Sequence, residues 1–198
     1  MSREHRTARQ LHDASSLDES DADALARVAK GEIDALGKIY DRHHLAVLRF
    51  VARALGNASD AEDIVHATFL TIAKIAGSYD GRLSCRPWLL GVAARLLQQR
   101  RRGAARFARM LSGFAWWSKG ASHDPSNAIV ARGELTVIER AVADMSEAKR
   151  VVLLMAEIEG VPCEEIAQAL EIPVGTVWTR LHAARRDLRA ALAEGGAR

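Results

Sequence analysis

Aromatic residues are scarce, at 5% of 198, and there are only four prolines and two cysteines. Strands draw on β-branched and aromatic side chains, whereas Ala, Leu and Arg, abundant here, are strong helix formers. The shortage of rings therefore points to helices. Cys85 and Cys163 lie far apart, with no CxxC pair and no Cys/His ligand spacing. That argues against a disulfide framework and a structural zinc site, and it fits a reducing cytoplasm. No apolar run approaches the roughly 20 residues that span a bilayer. Residues 1–9 are polar and lack a hydrophobic signal core. Neither membrane insertion nor a secretory leader is expected.

Acidic residues are missing altogether from Gly81 to His123, a stretch that carries Arg82, Arg86, Arg95, Arg100, Arg101, Arg102, Arg106, Arg109 and Lys119. A second acid-free patch, Ile172 to Arg186, carries Arg180, His182, Arg185 and Arg186. Conversely, Asp13, Asp18, Glu19, Asp21 and Asp23 follow one another with no Lys or Arg between them. The formal net charge of +3 conceals this segregation. Two separate basic patches favour a polyanion partner, because a merely solvated helix face mixes its signs.

Apolar spacing divides the chain into two helical domains and predicts no strand. Residues 1–22 read as a mobile acidic tail. A buried stripe then runs through Ile33, Leu36, Tyr40, Val47, Leu48, Val51 and Leu55 and stops at Gly56-Asn57. Asp60 is placed to cap the next helix, with Glu62 and Asp63 in its first turn. Pro87 sits near the start of a third helix that ends in the arginine triplet at 100–102. The first domain thus spans 23–102, and 103–126 reads as a linker, broken by Gly103, Gly113, Gly120 and Asp124-Pro125. Its Phe107, Phe114, Trp116 and Trp117 are too apolar for free solvent. A second helical domain covers 127–193, and 194–198 is a short tail.

Within that second domain, two short helices, Glu164–Leu170 and Val174–Leu192, are separated by Glu171-Ile172-Pro173. This is the spacing of a helix-turn-helix. Ile166, Ala167, Leu170 and Ile172 would pack on Val177, Leu181, Ala184 and Leu188. Burying that face turns Thr176, Thr179, His182 and Arg186 outward, with Trp178 and Arg180 on the flanks. Thr176, in the first turn, suits a phosphate, and Arg180, Arg185 and Arg186 supply positive charge for the backbone or a guanine edge.

The run Glu164 to Arg185 resembles region 4.2 of extracytoplasmic-function sigma factors, and Asp144 to Leu154 resembles their region 4.1. In the first domain, Asp60-Ala61-Glu62-Asp63-Ile64-Val65-His66-Ala67-Thr68-Phe69 is similar to the region 2.2 signature, and Pro87 to Ala93 to the region 2.3 helix. The resemblance implies a factor that binds core RNA polymerase and directs promoter recognition and melting. Asp60, Glu62, Asp63, His66 and Phe69 would face the polymerase. Tyr79, Arg82, Arg86, Trp88, Arg95, Arg100 and Arg101 would engage the −10 element, where a base is flipped from its strand at a cost of a few kcal/mol. Trp88 reads as a core anchor before a stacking residue. Thr176, Trp178, Thr179, Arg180 and His182, with Arg185 and Arg186, would read the −35 element. The apolar linker would thread the polymerase, and an anti-sigma factor is an expected further partner. No cofactor or metal is implied. The sequence departs from the family pattern at His66-Ala67, Ala94-Arg95, Gln99, Trp178 and Ala183, and Glu171 stands where the turn usually has glycine.

Two other functions fit less well. A metalloenzyme would need converging ligands, yet adjacent His43 and His44 point about 100° apart on a helix. Glu62 and His66 share a face but are only a pair, and no P-loop, GxSxG or HExxH is present. A stand-alone dimeric helix-turn-helix regulator would leave the residues resembling region 2 without a purpose.

Overall fold

The computed structural model describes residues 19–56, 60–114 and 137–195, and among them there are eight α-helices and no strand. The first half contains α1 (Asp21–Val28), α2 (Ile33–Leu55), α3 (Ala61–Ile75) and α4 (Cys85–Phe114). The second contains α5 (Val137–Asp144), α6 (Glu147–Leu153), α7 (Cys163–Leu170) and α8 (Val174–Gly195). The all-α expectation holds. No helix among the described residues is long and apolar enough to cross a membrane.

The acidic segment does not stay a tail up to residue 22. Ser20 caps α1, its Oγ accepting from the Asp23 amide at 3.1 Å. Glu19 bridges Arg27 and Lys38 at 3.0 and 2.9 Å, and Asp21 bridges Arg42 and His43 at 2.8 and 2.7 Å. Glu19 and Asp21 thus find basic partners on α1 and α2. The rest of the expected tail, 1–18, lies outside the described residues, as do 196–198.

Helix α2 ends as its sequence predicts: Gly56 adopts φ 69°, a left-handed stop, and its N–H bonds Ala52 O. Helix α3 buries Ile64, Val65, Thr68, Phe69 and Ile72 against α2 and α4, and Thr68 satisfies its own hydroxyl on Ile64 O. Asp60 corrects the sequence reading. It precedes α3, but its side chain makes no capping bond and pairs instead with Arg100 at 2.8 Å.

The expected end of α4 at residue 102 is also corrected, because the helix continues through Gly103 to Phe114. One interior glycine costs only about 1 kcal/mol against alanine, and the Ala104-Ala105-Arg106 run that follows is strongly helical. The expected linker 103–126 is therefore helix in its first part. Its Trp116 and Trp117, and residues 127–136 of the expected second domain, lie outside the described residues.

In the second half α6 passes into one π-helical turn, Leu154–Ile158, and Gly160 (φ 66°) turns the chain toward α7. The two halves share a continuous apolar core. Gly91 of α4 faces the Ala169 carbonyl of α7 so closely that a Cβ there would lie 2.3 Å from that oxygen. Arg150 of α6 is buried, and its guanidinium donates to Ala54 O on α2 at 2.7 Å and to Val142, Ala143 and Met145 carbonyls beside it.

Candidate nucleic-acid and polymerase interface

The helix-turn-helix forms at the residues its spacing predicts. Ile166, Val177 and Ala184 are fully buried where α7 crosses α8, with Ala167 and Leu181 nearly so. The turn is made without glycine: Glu171 adopts φ 56°, ψ 44°, and its N–H closes onto α7. With that face buried, α8 presents Trp178, Thr179, His182 and Arg186 to solvent, and Thr176 and Arg180 stand half-buried at its edges. Thr179 returns its hydroxyl to Gly175 O at 2.8 Å. Arg185 is exposed but bonds Glu157 at 2.8 Å, and Arg186 lies 3.7 Å from Asp187.

The residues expected at the −10 element fall into two groups. Tyr79 and Trp88 pack together, with ring centroids 5.1 Å apart, and Tyr79 donates to Leu83 O at 2.6 Å. This pair braces the loop entering α4, and burial holds the Tyr79 phenol above its ordinary range. Trp88 is half-buried there and packs against the core. Arg82, exposed on that loop, pairs with Asp80 at 3.1 Å.

The remaining arginines are spread along and around α4, and each has found an acid. Arg100 takes Asp60. Arg86, Arg95 and Arg101 take Glu159, Glu171 and Glu147, all from the second half; the latter two pairs measure 2.8 and 3.2 Å. Arg95 also donates to Ala169 O at 3.2 Å. Glu159 is almost wholly enclosed by its contact, while Arg86 Nε is left buried with no partner among the described residues. Between α4 and the second half is a cleft of about 680 Å³, lined by Arg95, Arg101, Arg102 and Arg180 with Glu147. Sequence reasoning found Arg86, Arg95 and Arg101 but not the acids that hold them, which lie 46–76 residues away.

On α3, Glu62, Asp63 and His66 are exposed together. Phe69 is not with them: 4% exposed, it packs on Tyr40 at 4.7 Å in the core. The helix period explains this correction, since Phe69 lies four residues from Val65 and three from Ile72, both buried. The apolar residue that does face solvent is its neighbour Leu70, 64% exposed and four residues on from His66. A lone exposed leucine inside an apolar run leaves no pattern to find it by.

His43 and His44 diverge as their adjacency dictates. His43 turns to Asp21, and His44 stacks on Tyr40 at 4.8 Å.

Residues 39–107 match the family model for Sigma-70 region 2, and 135–188 match that for Sigma-70 region 4. The ECF RNA polymerase sigma factor SigL of Mycobacterium tuberculosis is 32% identical over 178 residues, covering 87% of this chain and 98% of its own. SigW of Bacillus subtilis is 29% identical over 174 residues, covering 83% and 92%. Among solved structures, CnrH in complex with the cytosolic domain of CnrY superposes with a TM-score of 0.62 at 23% identity, covering 89% of this chain and 99% of that one. RpoE of Bartonella quintana, solved with the anti-sigma factor NepR, gives 0.63 at 18%, covering 79% and 96%. The chain belongs to the extracytoplasmic-function sigma factors of the Sigma-70 family, transcription initiation factors that direct promoter recognition with RNA polymerase.

Proposed function

We propose that the two halves divide the work of this sigma factor as follows. The exposed face of α8, with Thr176, Trp178, Thr179, Arg180, His182, Arg185 and Arg186, reads the −35 element. Arg82 on the loop entering α4 and Arg86, Arg95, Arg100 and Arg101 along it, with Tyr79 and Trp88 bracing the loop, hold the −10 strand. The exposed acids of α3, Glu62 and Asp63 with His66, meet the polymerase, while Asp60 positions Arg100 and Phe69 supports the helix from inside. The chain performs no catalytic step of its own, acts in the cytoplasm, and has an anti-sigma factor as a further partner.

What carries this reading is the solvent-facing side of α8. A helix buried on Val177, Leu181 and Ala184 leaves Trp178, Thr179, His182 and Arg186 outward over its first turns. That is the arrangement a major groove accepts.

Co-elution of the full chain with bacterial core RNA polymerase tests the assignment as a whole, and a folded chain that fails to co-elute overturns it. The division of labour is tested by Arg180→Ala with Arg186→Ala. The double variant is expected to lower transcription from a cognate promoter by about tenfold or more, since each lost contact to a base or phosphate costs on the order of 1–3 kcal/mol. Its affinity for core polymerase is expected to be unchanged. Equal loss of both activities would remove the −35 role.

A further inference from the structure

Three side chains that no part of the promoter machinery uses converge at the base of the first half. Asp21 is the first residue of α1, His43 lies midway along α2, and Cys85 is the first residue of α4. Their donor atoms, a carboxylate oxygen, an imidazole nitrogen and a thiol sulfur, all lie within 4.8 Å of one another. Spacings of 22 and 42 residues hide the group from any sequence motif.

We propose that Asp21, His43 and Cys85 form a binding site for a divalent metal ion of the zinc class. Donors on one tetrahedral zinc, about 2.0–2.3 Å from the ion, stand some 3.2–3.7 Å apart. The group must therefore close by about 1 Å at its widest, and the Asp21–His43 pair, now hydrogen-bonded at 2.7 Å, must open slightly. Mixed sulfur, nitrogen and oxygen donors select zinc over magnesium or calcium, which take oxygen alone. Three protein ligands leave a fourth position, and the side is open enough for water there: the Asp21 side chain is 28% exposed and that of His43 13%.

The surroundings already hold the ligands in place. Asp21 Oδ2 faces His43, while Oδ1 accepts from Arg42 at 2.8 Å. A carboxylate fixed by a neighbour on its second oxygen is the usual companion of a ligand carboxylate. Thiolate and carboxylate together neutralise the ion, so Arg42 keeps its own pair. All three ligands come from different helices, so the site exists only in the folded half. Binding there ties α1 to the first turn of α4, the turn that carries Arg86.

The test is a cobalt titration of the reduced full-length chain, followed by displacement with zinc. Wild type and Cys163→Ser are expected to show a thiolate-to-cobalt charge-transfer band in the near ultraviolet, and zinc is expected to abolish it and raise Tm. Cys85→Ser should lose the band. His43→Gln should weaken cobalt binding on the order of tenfold or more, since even an outer partner of a ligand is worth that much. It also keeps the question open to test if Cys85→Ser does not fold. A wild-type chain with free thiols and no band shows the group to be a hydrogen-bonded knot only, which overturns the proposal. So does a band that survives in Cys85→Ser, or undiminished binding by His43→Gln.

Discussion

Glu171 carries the one positive φ among the described non-glycine residues, and it does so at the turn of the helix-turn-helix. The left-handed region costs an ordinary residue roughly 1–2 kcal/mol, and the exposed pair with Arg95 returns little of that. Glu171→Gly is therefore expected to stabilise the second half by up to about 1 kcal/mol, less whatever glycine's unfolded freedom takes back; the rise in Tm measures it. Arg150 shows the opposite case, a residue whose loss is costly. Its guanidinium is buried, which lowers its pKa, yet it stays charged and donates to carbonyls from α2, α5 and the turn before α6. Arg150→Met fills much the same space but strands those carbonyls, at a cost of about 1–3 kcal/mol or more. Chemical denaturation should record a lower midpoint. The sequence foretold the first residue, because an acid at a glycine position demands a strained turn. It was silent on the second, because Arg150 looks like any basic residue on a helix until Ala54, 96 residues away, arrives beside it.

At the scale of elements, what the sequence made legible was periodicity, and what it hid was the ends. The buried faces of α3, α7 and α8 follow from three- and four-residue spacing, as does the exposed face of α8. The stripe expected on α2 is corrected: Ile33, in its first turn, is 81% exposed, and beside Val47 and Val51 the buried face is made by Ala35, Ile39, Ala46, Phe50 and Ala54. The start of α1 and the end of α4 do not, since the first depends on cations of α2 that gather Glu19 and Asp21, and the second on alanines that carry a helix past Gly103. Helix α8 illustrates how such pairing adds to a periodic face. Lys149 of α6 reaches Asp187 of α8 at 2.6 Å and, as the leading cause, holds that carboxyl below its ordinary 3.8. A carboxylate so depressed favours the folded state at neutral pH and loses that advantage as pH falls below about 3.8 toward its folded value. The pair is open to solvent, so the effect is small. Asp187→Asn should be slightly less stable than wild type at pH 7, and the difference should vanish on acidification; melting curves across that range decide it.

For the molecule as a whole, the contact of Gly91 with Ala169 sets how closely the halves approach. Gly91→Leu puts a strong helix former into α4, so the helix itself is not weakened, but its Cβ meets a backbone oxygen that has nowhere to go. Overpacking of this kind costs about 1–3 kcal/mol, and here it falls on the junction. The variant is expected to keep its helix content while the halves separate, seen as a larger radius of gyration in solution scattering and as easier access to Arg86 and Arg95. An unchanged radius in a folded variant would show that the junction absorbs the side chain. The same junction engages Arg86, Arg95 and Arg101 with Glu159, Glu171 and Glu147. These arginines are the ones proposed above to hold the −10 strand, and on that assignment carboxylates of the second half compete with phosphates for them.

That competition has a consequence for ionic strength. A protein meeting DNA with free cations loses affinity steeply as salt rises, because each neutralised phosphate releases condensed counterions. On the proposed assignment, added salt weakens both the arginine–phosphate contacts and the arginine–carboxylate contacts that compete with them. The two equilibria shift in the same direction, and the balance between self-engaged and promoter-engaged chain moves less than either alone. On the proposed assignment, promoter binding is expected to weaken less steeply with added salt than in a Glu147→Gln, Glu171→Gln variant, and a salt titration of the two checks it.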